Sequence, residues 1–124
     1  MPADPLSKLR ALCLALPMAT EKEAWGESTF RAPKIFAMYA SAANHHGAGR
    51  PAVWIKAMAD NQVLLIASDP ARYFKPPYVG PSGWIGVWLD RRPPWRAIAE
   101  LLEDGYRQVA SKKFVAALDA TRGP

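Results

Sequence analysis

Tyr73-Phe74-Lys75-Pro76-Pro77-Tyr78-Val79-Gly80-Pro81-Ser82-Gly83-Trp84-Ile85-Gly86-Val87-Trp88-Leu89-Asp90 joins an aromatic, proline-rich turn to a short apolar strand. The prolines fix φ and remove backbone donors, while Gly80 and Gly83 permit φ values that other residues avoid, so the turn is expected to hold one shape. From Trp84 to Leu89 the chain alternates. Ile85, Val87 and Leu89 fall on one face, and Trp84, Gly86 and Trp88 on the other. With both faces apolar, the strand belongs inside a sheet. If the aliphatic side meets helices, the tryptophans occupy the opposite side, where they form a second packing layer, make a dimer contact or stack on a ligand.

Downstream, Arg91-Arg92-Pro93-Pro94 is a stiff basic connection into the longest expected helix, from 94 to 110. Trp95, Ile98, Leu102, Tyr106 and Val109 form its apolar stripe, and Gly105 on that side allows close approach to the sheet. Glu103 and Arg107 stand four apart in the favourable order. Ser111 is the expected cap of a last helical segment containing Phe114, Val115 and Leu118.

Upstream, the spacing predicts a strand over 52–57, with Val53 and Ile55 facing one way and Trp54 and Lys56 the other. Asp60 is the expected cap of a helix to about Ser68, although Val63, Leu64 and Ile66 also suit a strand. The second half of 21–31 and the run 34–40 read as a hairpin turning at Ala32-Pro33. At the start, Asp4 and Pro5 open a helix whose stripe is Leu6, Leu9, Leu12, Cys13 and Leu16, and Pro17 ends it. Cys13 lies on that stripe, which makes it a packing residue rather than a reactive thiol. Asn44-His45-His46-Gly47 is a small polar loop; adjacent histidines with no further spaced ligand do not make a metal site.

Taken whole, these elements give a two-layer α+β domain spanning 1–124: an antiparallel sheet of about four to five strands with helices packed on one face. The 124 residues are half hydrophobic and 22% charged, and no apolar run approaches the roughly 18 residues needed to cross a bilayer. Sixteen Lys and Arg against eleven Asp and Glu give +5, which permits an anionic partner. A lone cysteine and no secretory pattern at the first residues make the cytoplasm the expected compartment.

Trp25-Gly26-Glu27-Ser28-Thr29-Phe30-Arg31, Phe74-Lys75-Pro76-Pro77-Tyr78-Val79-Gly80, Gly83-Trp84 and Gly105-Tyr106-Arg107-Gln108-Val109-Ala110-Ser111-Lys112-Lys113 together resemble the MmcQ/YjbR-like family. The likeness spans nearly the whole chain. It implies a small bacterial protein whose architecture is similar to that of secretion chaperones. Members are commonly labelled DNA-binding through comparison of their fold with a double-wing transcription-factor domain, which is an analogy of fold. Many relatives carry a basic residue between the loop glycine and the Gly-Trp pair, where this chain has Pro81-Ser82.

No nucleophile elbow, phosphate loop, metal-ligand set or paired-carboxylate motif is present, so the expected function is binding without chemistry, with no cofactor. The first expectation is DNA: Arg31, Lys34, Lys56, Arg72, Lys75, Arg91 and Arg92 contact phosphates and Tyr78 stacks on bases, with Trp84 or Trp88 as further stacking candidates. The alternative is a protein, peptide or small-ligand partner held by the aromatic loop and the tryptophan face. No membrane partner is expected.

Overall fold

The computed structural model describes residues 4–42 and 49–122; the loop with Asn44, His45, His46 and Gly47 lies outside them. Among the described residues four helices, α1 (Pro5–Leu14), α2 (Ala59–Ser68), α3 (Trp95–Val109) and α4 (Lys112–Thr121), accompany six strands. The strands are β1 (Thr20–Ala24), β2 (Glu27–Arg31), β3 (Ile35–Ala40), β4 (Ala52–Ile55), β5 (Tyr73–Phe74) and β6 (Ile85–Trp88). They form one sheet in the order β1-β2-β3-β4-β6-β5, and every neighbouring pair is antiparallel.

Alternation along the central strands sorts side chains into two layers. Phe30, Ala37, Val53, Ile55, Ile85 and Val87 lie in the larger core with Leu9 and Cys13 of α1, Ile98, Leu102 and Tyr106 of α3, and Leu118 of α4. The close approach expected at Gly105 is present: a Cβ there would stand 2.8 Å from the Lys56 carbonyl oxygen and 3.2 Å from Ile55 Cγ2. One residue along, the buried Tyr106 sets its ring edge-on to Phe36. Its hydroxyl donates to the Pro17 carbonyl at 2.7 Å, with the Phe114 carbonyl oxygen at 3.1 Å, so one side chain ties α3 to the ends of its flanking helices.

Trp54, Trp84, Ala40 and Ala52 form the smaller cluster on the opposite face, joined by Ile35, Met38, Phe74, Val79 and Trp88. Among the described residues no helical one belongs to it. The turn after β5 folds over part of this face, which leaves Trp54 and Trp84 only 9% and 7% exposed. Packing is thus the main work of both tryptophans.

The sheet has six strands where four to five were expected. β1 was hidden because its hairpin turns at Trp25-Gly26, outside the usual Asn-Gly and Asp-Gly signals; both residues take the positive φ that a two-residue primed turn needs, +54° and +79°. β5 was hidden because it is two residues long and opens what reads as loop. Helix starts also differ from expectation. Met58, not Asp60, precedes α2, and Asp60 lies in its first turn, where a carboxylate favours the positive end of the helix. Asp4 precedes α1 but makes no capping bond, whereas Ser111 does cap α4 by accepting from the Phe114 amide.

Candidate ligand groove on the helix-free face

The turn from Lys75 to Trp84 is tightly bonded. Gly80 N–H donates to the Pro76 carbonyl at 3.0 Å, and Gly83 N–H to the Gly80 carbonyl at 2.9 Å. Gly83 has φ +95°, and a Cβ there would meet the Ala59 amide nitrogen at 2.9 Å, so both conformation and space call for glycine. The buried Gln62 of α2 donates its side-chain amide to the carbonyl oxygens of Gly80 and Trp84, at 2.9 and 2.6 Å. These bonds hold the turn against the sheet, with Val79 packed against the cluster of Trp54 and Trp84.

Beside this turn lies a groove of about 570 Å³. Ile35, Met38, Ala40, Trp54, Val79 and Trp84 make it apolar. Trp25 enters from the β1–β2 hairpin tip and Tyr78 from the turn after β5. They are 79% and 75% exposed, and each has a left-handed backbone, with φ +54° and +65°. For residues other than glycine that conformation costs roughly 1–2 kcal/mol. Two large aromatic side chains are thus held out over an apolar depression by backbone conformations that bulky residues normally avoid.

Two polar side chains of the lining, Thr29 and Glu27, are engaged within the protein. Thr29 Oγ1 donates to the Lys22 carbonyl at 2.5 Å and accepts from Arg31 Nε at 3.2 Å. Glu27 accepts from the Ser41 amide at 2.7 Å and from the Ser41 hydroxyl at 3.0 Å.

A stack closes the neighbouring part of the face. The Phe74 ring lies 4.2 Å from that of Trp88 at 23°, and the Arg50 guanidinium stands 4.2 Å over Trp88. Gly86 makes room for this stack, since a Cβ there would be 2.3 Å from Phe74 Cζ. Arg50 also binds Asp90 through two bonds of 2.7 and 2.9 Å, which hold the Asp90 carboxyl below its usual range.

The register divides the candidate cations between the two ends of the sheet. Arg31, Lys34 and Lys56 stand at the end of the sheet where β2 and β4 finish and β3 and β6 begin, and Lys75 and Tyr78 follow β5 at that end. Arg91 and Arg92 follow β6 at the other end. Arg72, preceding β5 there, donates to the carbonyls of Trp88, Asp90 and Arg91 at 2.8, 2.9 and 2.7 Å. It acts as a structural clamp.

Three contributors were not singled out from sequence: Trp25 as a rim residue, Arg50 as the cap of the Trp88 stack, and Gln62 as the pin of the turn. Only Trp25, within a family-like segment, carried a local signal. On the helix side, Cys13 is buried and its thiol is held far above the usual range, chiefly by desolvation and secondarily by Glu21. Among the described residues no group of three His, Cys, Asp or Glu side chains is placed to hold a metal ion, and no helix is long and apolar enough to cross a membrane.

Fold and groove together define an α+β domain with one antiparallel sheet, helices on one face and an aromatic-rimmed apolar groove on the other. The YjbR family model matches residues 14–108, and the chain belongs to that family. Among solved structures it is similar to Deinococcus radiodurans protein DR2400, a DUF419 protein, with a TM-score of 0.70 and 20% identity over 97% of this chain and 91% of that one. At that identity the likeness is one of fold. Among curated proteins, none matches the chain.

Proposed function

We propose that this YjbR-family domain is a non-catalytic cytoplasmic binding protein whose site is the groove on the helix-free face, and that it takes a compact, apolar, planar ligand. The observation that carries this reading is the pairing of Trp25 with Tyr78: two largely exposed aromatic residues with left-handed backbones, projecting from separate elements over one apolar depression. Its volume, about 570 Å³, is within the ordinary range of small-molecule sites. With Thr29 and Glu27 already engaged and the rest of the lining mainly apolar or aromatic, the ligand is recognised chiefly by fit between rings and aliphatic side chains. Titration of 2-naphthol followed by NMR of the Ile35 and Met38 methyl groups tests this. Saturable shifts confined to those methyls and the Trp25 indole are expected; shifts spread over the surface, or none, would remove the reading.

A second reading, single-stranded nucleic acid, is favoured by one observation: Arg31, Lys34, Lys56 and Lys75 share an end of the sheet with Tyr78. A base would stack on Tyr78 while these cations met phosphates. DNA binding of that kind weakens steeply with salt. A titration with a short oligonucleotide showing no binding at low salt would dispose of it.

A further inference from the structure

At the opposite end of the sheet, on the helix side, a second cavity of about 690 Å³ lies where α1 and α3 begin. Lys8, Arg91 and Arg92 line it together with an apolar part formed by Pro51, Leu89 and Trp95. We propose that this cavity is an independent site for a compact phosphate ester with an apolar or aromatic body, its phosphate held by the three cations and its body resting against Trp95.

Three observations carry the inference. First, the turn presenting the arginines is built for that conformation. Arg91 and Arg92 are consecutive left-handed residues, with φ +53° and +54°. Arg72 fastens the turn by donating to the Asp90 and Arg91 carbonyls, and Arg50 fixes the Asp90 side chain. Two arginines therefore build the support on which two others are displayed.

Second, the displayed charges are not neutralised locally. Among the described residues, Lys8, Arg91 and Arg92 form no ion pair, whereas Arg10, Arg50, Arg107 and Arg122 all do. The one carboxylate lining the cavity, Asp90, is engaged in its two bonds to Arg50, which offsets its repulsion of an anion. Arginine suits phosphate because its planar donors meet two oxygens at once.

Third, the cations stand beside apolar surface in a concave site. A phosphate on an extended strand needs only an exposed cation, whereas Pro51, Leu89 and Trp95 offer contact to the organic part of a small ester. The site is separate from the groove, so it stands or falls independently of the function proposed above.

The test is an NMR titration of the full chain with phenyl phosphate, inorganic phosphate and a short single-stranded oligonucleotide, followed at the Arg91 and Arg92 amides and the Trp95 indole. Saturable binding of phenyl phosphate is expected, at least several-fold tighter than inorganic phosphate, and weakened about tenfold by Arg91→Asn with Arg92→Asn, since asparagine tolerates the left-handed backbone while removing the charge. Lys8→Gln, which leaves the turn untouched, should weaken it several-fold. Absence of saturable shifts, or unchanged affinity in both variants, would overturn the proposal. Tighter binding of the oligonucleotide than of phenyl phosphate would overturn the compact ester in favour of a nucleic-acid backbone.

Discussion

The side-chain amide of Gln62 donates to the carbonyl oxygen of Trp84 at 2.6 Å, and the same nitrogen reaches the Gly80 carbonyl at 2.9 Å. One residue of α2 thereby holds both ends of the segment that forms a wall of the groove. Replacing Gln62 with leucine takes the side-chain donor from the Trp84 carbonyl and leaves the Gly80 carbonyl only its bond from the Gly83 amide, at a cost of about 1–3 kcal/mol. Urea unfolding of Gln62→Leu should show that loss, and affinity for 2-naphthol should fall too because Tyr78 and Val79 lose their placement. Wild-type stability with wild-type affinity would mean that the turn holds itself.

Gly105→Ala tests how α3 is seated. Helix propensity alone favours alanine by about 1 kcal/mol. Here the new methyl would stand 2.8 Å from the Lys56 carbonyl oxygen, and backbone on both sides must shift. A net destabilisation of about 1–3 kcal/mol is expected in chemical denaturation. A gain in stability would show that the contact between helix and sheet is slack.

Tyr106→Phe removes one hydroxyl and nothing else. The Pro17 carbonyl then loses its donor and the Phe114 carbonyl a neighbouring hydroxyl, while the ring contact with Phe36 is kept. About 1 kcal/mol should be lost, visible as a lowered thermal midpoint. An unchanged midpoint would indicate that water takes over at the Pro17 carbonyl.

Acid sensitivity should localise to two ion pairs. Arg10 holds the Glu21 carboxyl below its ordinary range, and Arg50 does the same for Asp90. Since the folded-state values are depressed, the associated stability is fully present above the unfolded carboxylate range and is lost as pH falls through the folded values. Arg50→Gln should therefore reduce the slope of stability against pH on the acid side only. An equal change at neutral and acid pH would contradict that assignment.

Much of this fold was legible because its main elements have strong periodicity. The α3 stripe, the role of Gly105 and the two faces of Trp84–Leu89 follow from spacing alone. What stayed hidden was decided by tertiary contacts. β1 reads as charged and irregular because it is an edge strand, and it is recognised only through its pairing with β2. Tyr78 was visible as a candidate, but its partnership with Trp25 spans 53 positions of sequence and depends on strand order. The cations show the converse. Close in sequence, Lys75 and Arg91 stand at opposite ends of the sheet, because β6 runs between them.

The central claim is that the groove recognises an apolar planar body through Trp25 and Tyr78. Calorimetric titration of 2-naphthol into the wild-type chain and into Trp25→Ala with Tyr78→Ala, each at low and high salt, tests it most directly. Saturable binding is expected, weakening about tenfold or more in the double variant and changing little with salt, as ring contacts rather than charge require. Equal binding by both proteins, or affinity that falls steeply as salt rises, would contradict it.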